Sequence, residues 1–159
     1  MLRYLWISLL VVALDQASKL WILASFAEYE VKVILPIFNL TLVFNEGAAF
    51  SFLADAGGWQ QYFFIALASV ISLVMIVWLK RLLPAERLVA WALALVIGGA
   101  IGNLIDRVAY GKVVDFLQWH WDSAYFPSFN LADSAITLGV ILMLLDSFRP
   151  EASKAEPVK

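Results

Sequence analysis

Residues 59–79 carry no charged side chain. An uncharged run of this length is what a helix needs to cross a bilayer, which takes ~20 apolar residues. Three further runs share the character. Residues 4–24 are apolar apart from Asp15 and Lys19. Residues 88–107 are apolar until Asn103, Asp106 and Arg107 close the run. Residues 129–148 carry Asp133 near the start and Asp146 near the end. A bilayer core offers no water to satisfy backbone N–H and C=O groups, so such runs are expected as helices. Composition agrees. The 159 residues are 63% hydrophobic and 15% charged, where a soluble domain carries charge on about a quarter of its positions. The expected fold is an all-α membrane protein: one integral domain over 1–159 with four transmembrane helices and a disordered polar tail at 150–159. A first run serving as a cleaved signal peptide, with Ser25-Phe26-Ala27 as its cleavage site, is disfavoured because Asp15 and Lys19 interrupt its apolar stretch.

Positive charge sets the orientation. Arg3 precedes the first run; Lys80, Arg81 and Arg87 lie between the second and third; Arg149, Lys154 and Lys159 follow the fourth. The positive-inside rule therefore puts both termini and the 80–87 loop in the cytoplasm. Two segments fall outside. Residues 28–53 contain the β-rich stretches Val31–Ile34 and Asn39–Phe44, separated by Pro36, and are expected as a small external strand platform. Residues 108–128 hold Trp119, Trp121, Tyr125 and Phe126 and are expected as an aromatic loop at the membrane interface.

With that orientation, nearly every polar residue at membrane depth gathers on the outer side: Asp15 and Lys19, then Asn103, Asp106 and Arg107, then Asn130 and Asp133. Asp115 lies on the adjoining external segment. Intramembrane ionisable residues are costly and usually functional. Several also have plainer explanations. Asp15 and Lys19 are spaced i,i+4 and can neutralise each other. Asp106 with Arg107 can be a helix-end anchor. Gly98, Gly99 and Gly102 suit close helix packing. His120, the sole histidine, sits among tryptophans as interfacial residues do. Asp133 is harder to explain away, having no basic residue within a helical turn.

The chemistry narrows by elimination. There is no cysteine, hence no thiol nucleophile or disulfide, and a single histidine cannot build a His-rich zinc site. Neither H-E-x-x-H nor G-x-S-x-G occurs. A net charge of −2 gives no reason to expect nucleic acid. No cofactor or metal is expected. What remains is carboxylates, and Asp115 and Asp133 flank one loop that could fold back and bring them together. Two such groups in one low-dielectric pocket share a proton and can activate water.

Five stretches together resemble the bacterial lipoprotein signal peptidases, the type II signal peptidases. They are Asp15-x-x-x-Lys19, Asn45-Glu46-Gly47-Ala48-Ala49-Phe50-Ser51, Gly98 through Arg107, Val113-Val114-Asp115-Phe116, and Phe129-Asn130-Leu131-Ala132-Asp133. The resemblance implies an aspartyl endopeptidase with Asp115 and Asp133 as the catalytic pair. Asn45, Gly47, Asn103, Arg107 and Asn130 would orient substrate or dyad, and Asp15 and Lys19 would support the site. The substrate would be a diacylglyceryl-modified prolipoprotein, cut just before its lipidated cysteine. It further implies a monomer in the bacterial cytoplasmic (inner) membrane, in contact with membrane lipids and open to globomycin-type inhibitors, with its site near the external leaflet. Two other classes compete. In a proton-coupled transporter the polar trail should continue through the inner half, and here it stops. A non-enzymatic membrane assembly factor would use the same site to hold lipid, and has no need of this motif set.

Overall fold

A computed structural model describes residues 1–47 and 59–149. The expected polar tail at 150–159 and the Ala48–Ser51 part of the second motif lie outside the described residues.

A short 3₁₀ turn (Leu2–Tyr4) leads into α1 (Leu5–Ser25). Strands β1 (Val31–Leu35) and β2 (Phe38–Asn45) follow, then α2 (Trp59–Arg81), α3 (Arg87–Tyr110), β3 (Val113–Trp121), β4 (Ala124–Tyr125) and α4 (Leu131–Ser147). The chain is mostly helical with one small antiparallel sheet. Among the described residues, three helices are long and apolar enough to cross a membrane: Leu2–Ser25, α2 and α3. At 1.5 Å per residue they reach ~35–36 Å. Helix α4 has 17 residues, the lower limit of the spanning range.

Burial runs opposite to that of a water-soluble bundle. Leu9, Leu20, Trp21, Tyr62, Leu73 and Leu145 point outward, while Asp15, Lys19, Asp106, Asp115 and Asn130 are fully buried. Leaving so much apolar surface exposed is unfavourable in water and costs nothing in lipid.

Helix α3 is the hub and packs against α1, α2 and α4. Its glycines permit this. A Cβ at Gly99 would collide with the backbone oxygen of Ala132 on α4, and one at Gly102 would come within 2.6 Å of the Asp15 carboxylate on α1. The small-residue stretch is thus a packing seam, as its sequence suggested.

The sheet order is β1-β2-β3-β4. The strand platform expected from 31–34 and 39–44 is present, but the segment expected as an aromatic loop is itself largely strand. Strand β3 pairs with β2 from Phe38↔Trp119 to Asn45↔Val113. Its apolar residues Val113, Val114, Phe116 and Leu117 are nearly consecutive rather than alternating, because β3 is covered on both faces over that stretch. The aromatic character survives at its far end, where Trp119, Trp121, Tyr125 and Phe126 are exposed and His120 stacks on Tyr125 at 5.3 Å. Ile22, Phe26, Leu42, Val114 and Phe116 form a core that fastens the sheet to the end of α1. That core fixes where Asp115 sits.

Candidate active site

Lys19 is the centre of the buried polar cluster. Its ammonium lies 2.8 Å from Asp15 Oδ2 and 2.8 Å from Asp106 Oδ2, and it donates to Asn103 Oδ1 at 2.9 Å. All three of its protons are thereby used. The i,i+4 pairing with Asp15 holds, but it is one edge of a larger arrangement. Asp15 Oδ1 accepts the Ala132 N–H of α4 (2.9 Å), and Asp106 Oδ2 accepts the Val114 N–H of β3 (3.0 Å). One ion cluster therefore ties α1, α3, α4 and β3 together. Asp106 is fully buried here. It is not the exposed helix-end anchor its position suggested, because the sheet packs down over the end of α3.

Asn103 and Asn130 carry the network outward. Asn103 accepts from Lys19 with its oxygen and donates from Nδ2 to Asp133 Oδ1 at 2.8 Å. Asn130 caps α4: its Oδ1 accepts the Asp133 N–H (2.9 Å), while Asp133 Oδ2 accepts the Asn130 N–H (3.2 Å). This reciprocal capping box fixes the Asp133 rotamer. The remaining group, Asn130 Nδ2, donates to Asp115 Oδ1 at 2.7 Å. A single asparagine thus holds both aspartates. The other oxygen of Asp115 accepts Asn45 Nδ2 at 3.0 Å. Asn45 is oriented in turn by Gly47, whose N–H donates to Asn45 Oδ1 at 2.9 Å from a backbone at φ 105° that favours glycine.

The aspartates named from sequence therefore share one site, with Asn45, Asn103 and Asn130 as direct partners and Gly47, Asp15 and Lys19 one step behind. Arg107 is placed differently. Its guanidinium lies over the Phe64 ring at 5.3 Å and touches the Asn103 carbonyl at 3.4 Å. It makes no ion pair within 4 Å among the described residues. Gln16 escaped the sequence reading. Its Nε2 donates to Asp106 Oδ1 (2.8 Å) and to the Gly102 carbonyl (3.2 Å), locking α1 to α3 beside Lys19. A polar side chain within an apolar run was the signal available.

The pair lies between two spaces of opposite character. A cavity of about 460 Å³ is lined by Asp115 with Glu28, Phe44, Asn45, Glu46 and Lys112. An apolar groove of about 520 Å³ runs past Asp133 along Phe126, Phe129, Leu138 and Ile141. Burial, and then the neighbouring Asp133 charge, push the Asp115 carboxyl up to about 7, against the opposing pull of the Asn45 and Asn130 amides. No cluster of three or more His, Cys, Asp or Glu with metal-holding geometry occurs among the described residues.

Fold and site together define a class: a helical protein apolar on the outside, with a buried carboxylate pair opening to one polar and one apolar space. Over residues 7–149 the chain matches the family described as signal peptidase (SPase) II, and it belongs to that family. It is similar to the lipoprotein signal peptidase of Pseudomonas paraeruginosa, 53% identical over 154 residues, covering 96% of this chain and 91% of the relative. The Pseudomonas putida enzyme of that name is 52% identical over 159 residues, covering 99% and 92%. A solved bacterial membrane enzyme is 30% identical with a TM-score of 0.83, covering all (100%) of this chain and 96% of its own.

Proposed function

We propose that this chain is an intramembrane aspartyl endopeptidase that removes the signal peptide from diacylglyceryl-modified prolipoproteins, cutting before the lipidated cysteine. The observation that carries the reading is the joining of Asp115 and Asp133 through Asn130, each carboxylate held by two amide donors. Family membership supplies the substrate class; the pair supplies the chemistry. Asp115 is the member that carries the shared proton. Asp133, in the first turn of α4, faces the positive end of the helix dipole, which suits an ionised partner. Asp133 takes a proton from a water that attacks the scissile carbonyl. Asp115 donates to the carbonyl oxygen, and the same proton inventory then protonates the departing amine. Asn103, Asn130 and Asn45 hold the carboxylates still, so little reorganisation is needed as charge develops.

The four-span reading completes the proposal. Helix α4 is the fourth span, the sheet lies at the external leaflet with its aromatic end in the headgroup layer, and both termini are cytoplasmic in a bacterial inner membrane. The apolar groove beside Asp133 then opens toward lipid, where a signal helix or acyl chain arrives laterally. Purified protein should release the signal peptide from a lipidated prolipoprotein, read as a gel shift. An unlipidated precursor should be cut far more slowly, because each acyl CH₂ buried contributes ~0.8 kcal/mol. Equal turnover of the two forms would count against the lipid-side groove, and no cleavage of either against the peptidase.

The dyad predicts a pH profile. Deprotonation of Asp115 removes the general acid, so kcat/KM should fall as pH rises through about 7. The Asn45 amide favours the ionised form of Asp115, so Asn45→Ala should move that alkaline limb to higher pH. A limb that stays in place or moves down would show that Asp115 is not the titrating acid.

A further inference from the structure

Strand β2 outruns its partner. Its pairing with β1 ends at Val31↔Thr41, and the last contact beyond it is the Tyr29 N–H on the Leu42 carbonyl at 2.8 Å. Tyr29 has a left-handed backbone, φ 65°, where the chain turns off β2. Strand β2 continues through Val43, Phe44 and Asn45, still paired with β3 on its other side.

The register says which way the backbone of Phe44 points. Phe44 stands opposite Val114. Both polar groups of Val114 are used on the side away from β2: its N–H donates to Asp106 Oδ2 at 3.0 Å, and its carbonyl accepts Asn130 Nδ2 at 3.3 Å. Phe44↔Val114 is therefore a non-hydrogen-bonded antiparallel pair, in which both residues turn their N–H and C=O away from each other. The strand has a register irregularity between Leu40 and Val43, but the Leu42 carbonyl faces β1, and the Phe44 groups, turned away from β3, face that same side. They point into the space that β1 leaves open. That space is the cavity lined by Phe44, Asn45, Glu46, Glu28 and Asp115. Neither group has a hydrogen-bond partner outside the sheet among the described residues.

We propose that the open edge of β2 at Phe44 is the docking edge for the substrate's backbone: an extended stretch beside the scissile bond pairs with the Phe44 N–H and C=O as an added strand. This rests on the peptidase reading and deepens it by naming the subsite. The occupant follows from continuity with the reacting groups. Val43, one residue before Phe44, is the cross-strand partner of Asp115, and Asn45, one residue after, donates to the Asp115 carboxylate. Asp115 lies across β2 from this edge but lines the same cavity, so a strand added at the usual spacing of ~4.8 Å enters the space onto which Asp115 opens. Recognition through main-chain groups would also let one enzyme accept many sequences.

Backbone esters in the substrate test this without altering the protein. A diacylglyceryl prolipopeptide is made as a parent and as a series in which single amides on either side of the scissile bond, but not that bond itself, become esters. Full-length protein in detergent is assayed on each. One position should lose about tenfold in kcat/KM, the effect of one hydrogen bond; the next amide toward the C-terminus should lose less, since its ester carbonyl accepts more weakly from the Phe44 N–H, and the preceding one should be unaffected. Uniform tolerance, or equal losses at adjacent positions, would overturn the edge while the cleaved parent leaves the peptidase standing. An uncleaved parent would overturn the peptidase reading and this proposal with it.

Discussion

Asp115→Asn and Asp133→Asn should each cut signal-peptide release by about 10²–10⁴-fold while leaving the protein folded, since a positioned general acid or base contributes about that much. An amide keeps the shape of the carboxyl but cannot pass a proton. Each variant keeps one of the two acceptor oxygens and turns an NH2 toward the donor that the other oxygen met, while loss of charge from a buried pair of like groups relieves repulsion. The lost hydrogen bond and the relieved repulsion oppose each other, so thermal stability in detergent should stay close to that of the wild type. The two residues act as one unit, so the double variant should be little worse than either single one. Gln16→Leu provides the contrast, because it loosens the α1–α3 lock and touches neither aspartate. It should lower stability and leave measurable turnover. Activity surviving in either aspartate variant would mean that the wrong carboxylates have been assigned.

Much of the architecture was legible because a membrane imposes a coarse rule. Long apolar runs fix the helices to within a few residues, and polar residues at depth mark the site. That rule singles out Asp15, Lys19, Asn103, Asn130 and Asp133, which the fold joins in one hydrogen-bonded network. What stayed hidden depends on contacts between distant segments. Asp106 reads as a helix end because nothing local covers it; its cover is the Val114 N–H, supplied by β3 from a segment whose aromatics point to a loop. Strand β3 was missed because its inner half lacks alternation, being buried on both faces, and its outer half is dominated by interfacial aromatics. The double role of Asn130 could not be read from spacing either. Its capping of α4 is a local pattern, but its grip on Asp115 requires β3 to lie against the start of that helix. Arg107, expected to orient substrate or dyad, has its direct contacts with Phe64 and its own helix turn, while its charge acts on Asp133 and Asp115 from further off.

Lys19→Met should be strongly destabilising. The side chains are of similar length, so packing is largely kept, and the effect is electrostatic. Removing the ammonium leaves Asp15 and Asp106 facing each other with no cation between them, both fully buried. Breaking a buried pair by deleting one partner typically costs about 3–5 kcal/mol, more than forming the pair ever contributes, because the survivors remain desolvated. The loss should reach activity as well, since Asn103 would lose the shorter of the two hydrogen bonds to its oxygen, keeping that from Asn130 Nδ2 at 3.1 Å, and its amide would be held less firmly toward Asp133. Adding Asp106→Asn to Lys19→Met should recover part of the stability, because it removes the excess negative charge and keeps a side-chain oxygen to accept the Val114 N–H. That recovery is a negative interaction energy between the two sites, which a double-mutant cycle measures directly. Thermal unfolding in detergent of the wild type, both single variants and the double gives the four corners. A Lys19→Met protein that unfolds with the wild type, or a double variant no better than the sum of its parts, would show that the cluster is not held together by this charge.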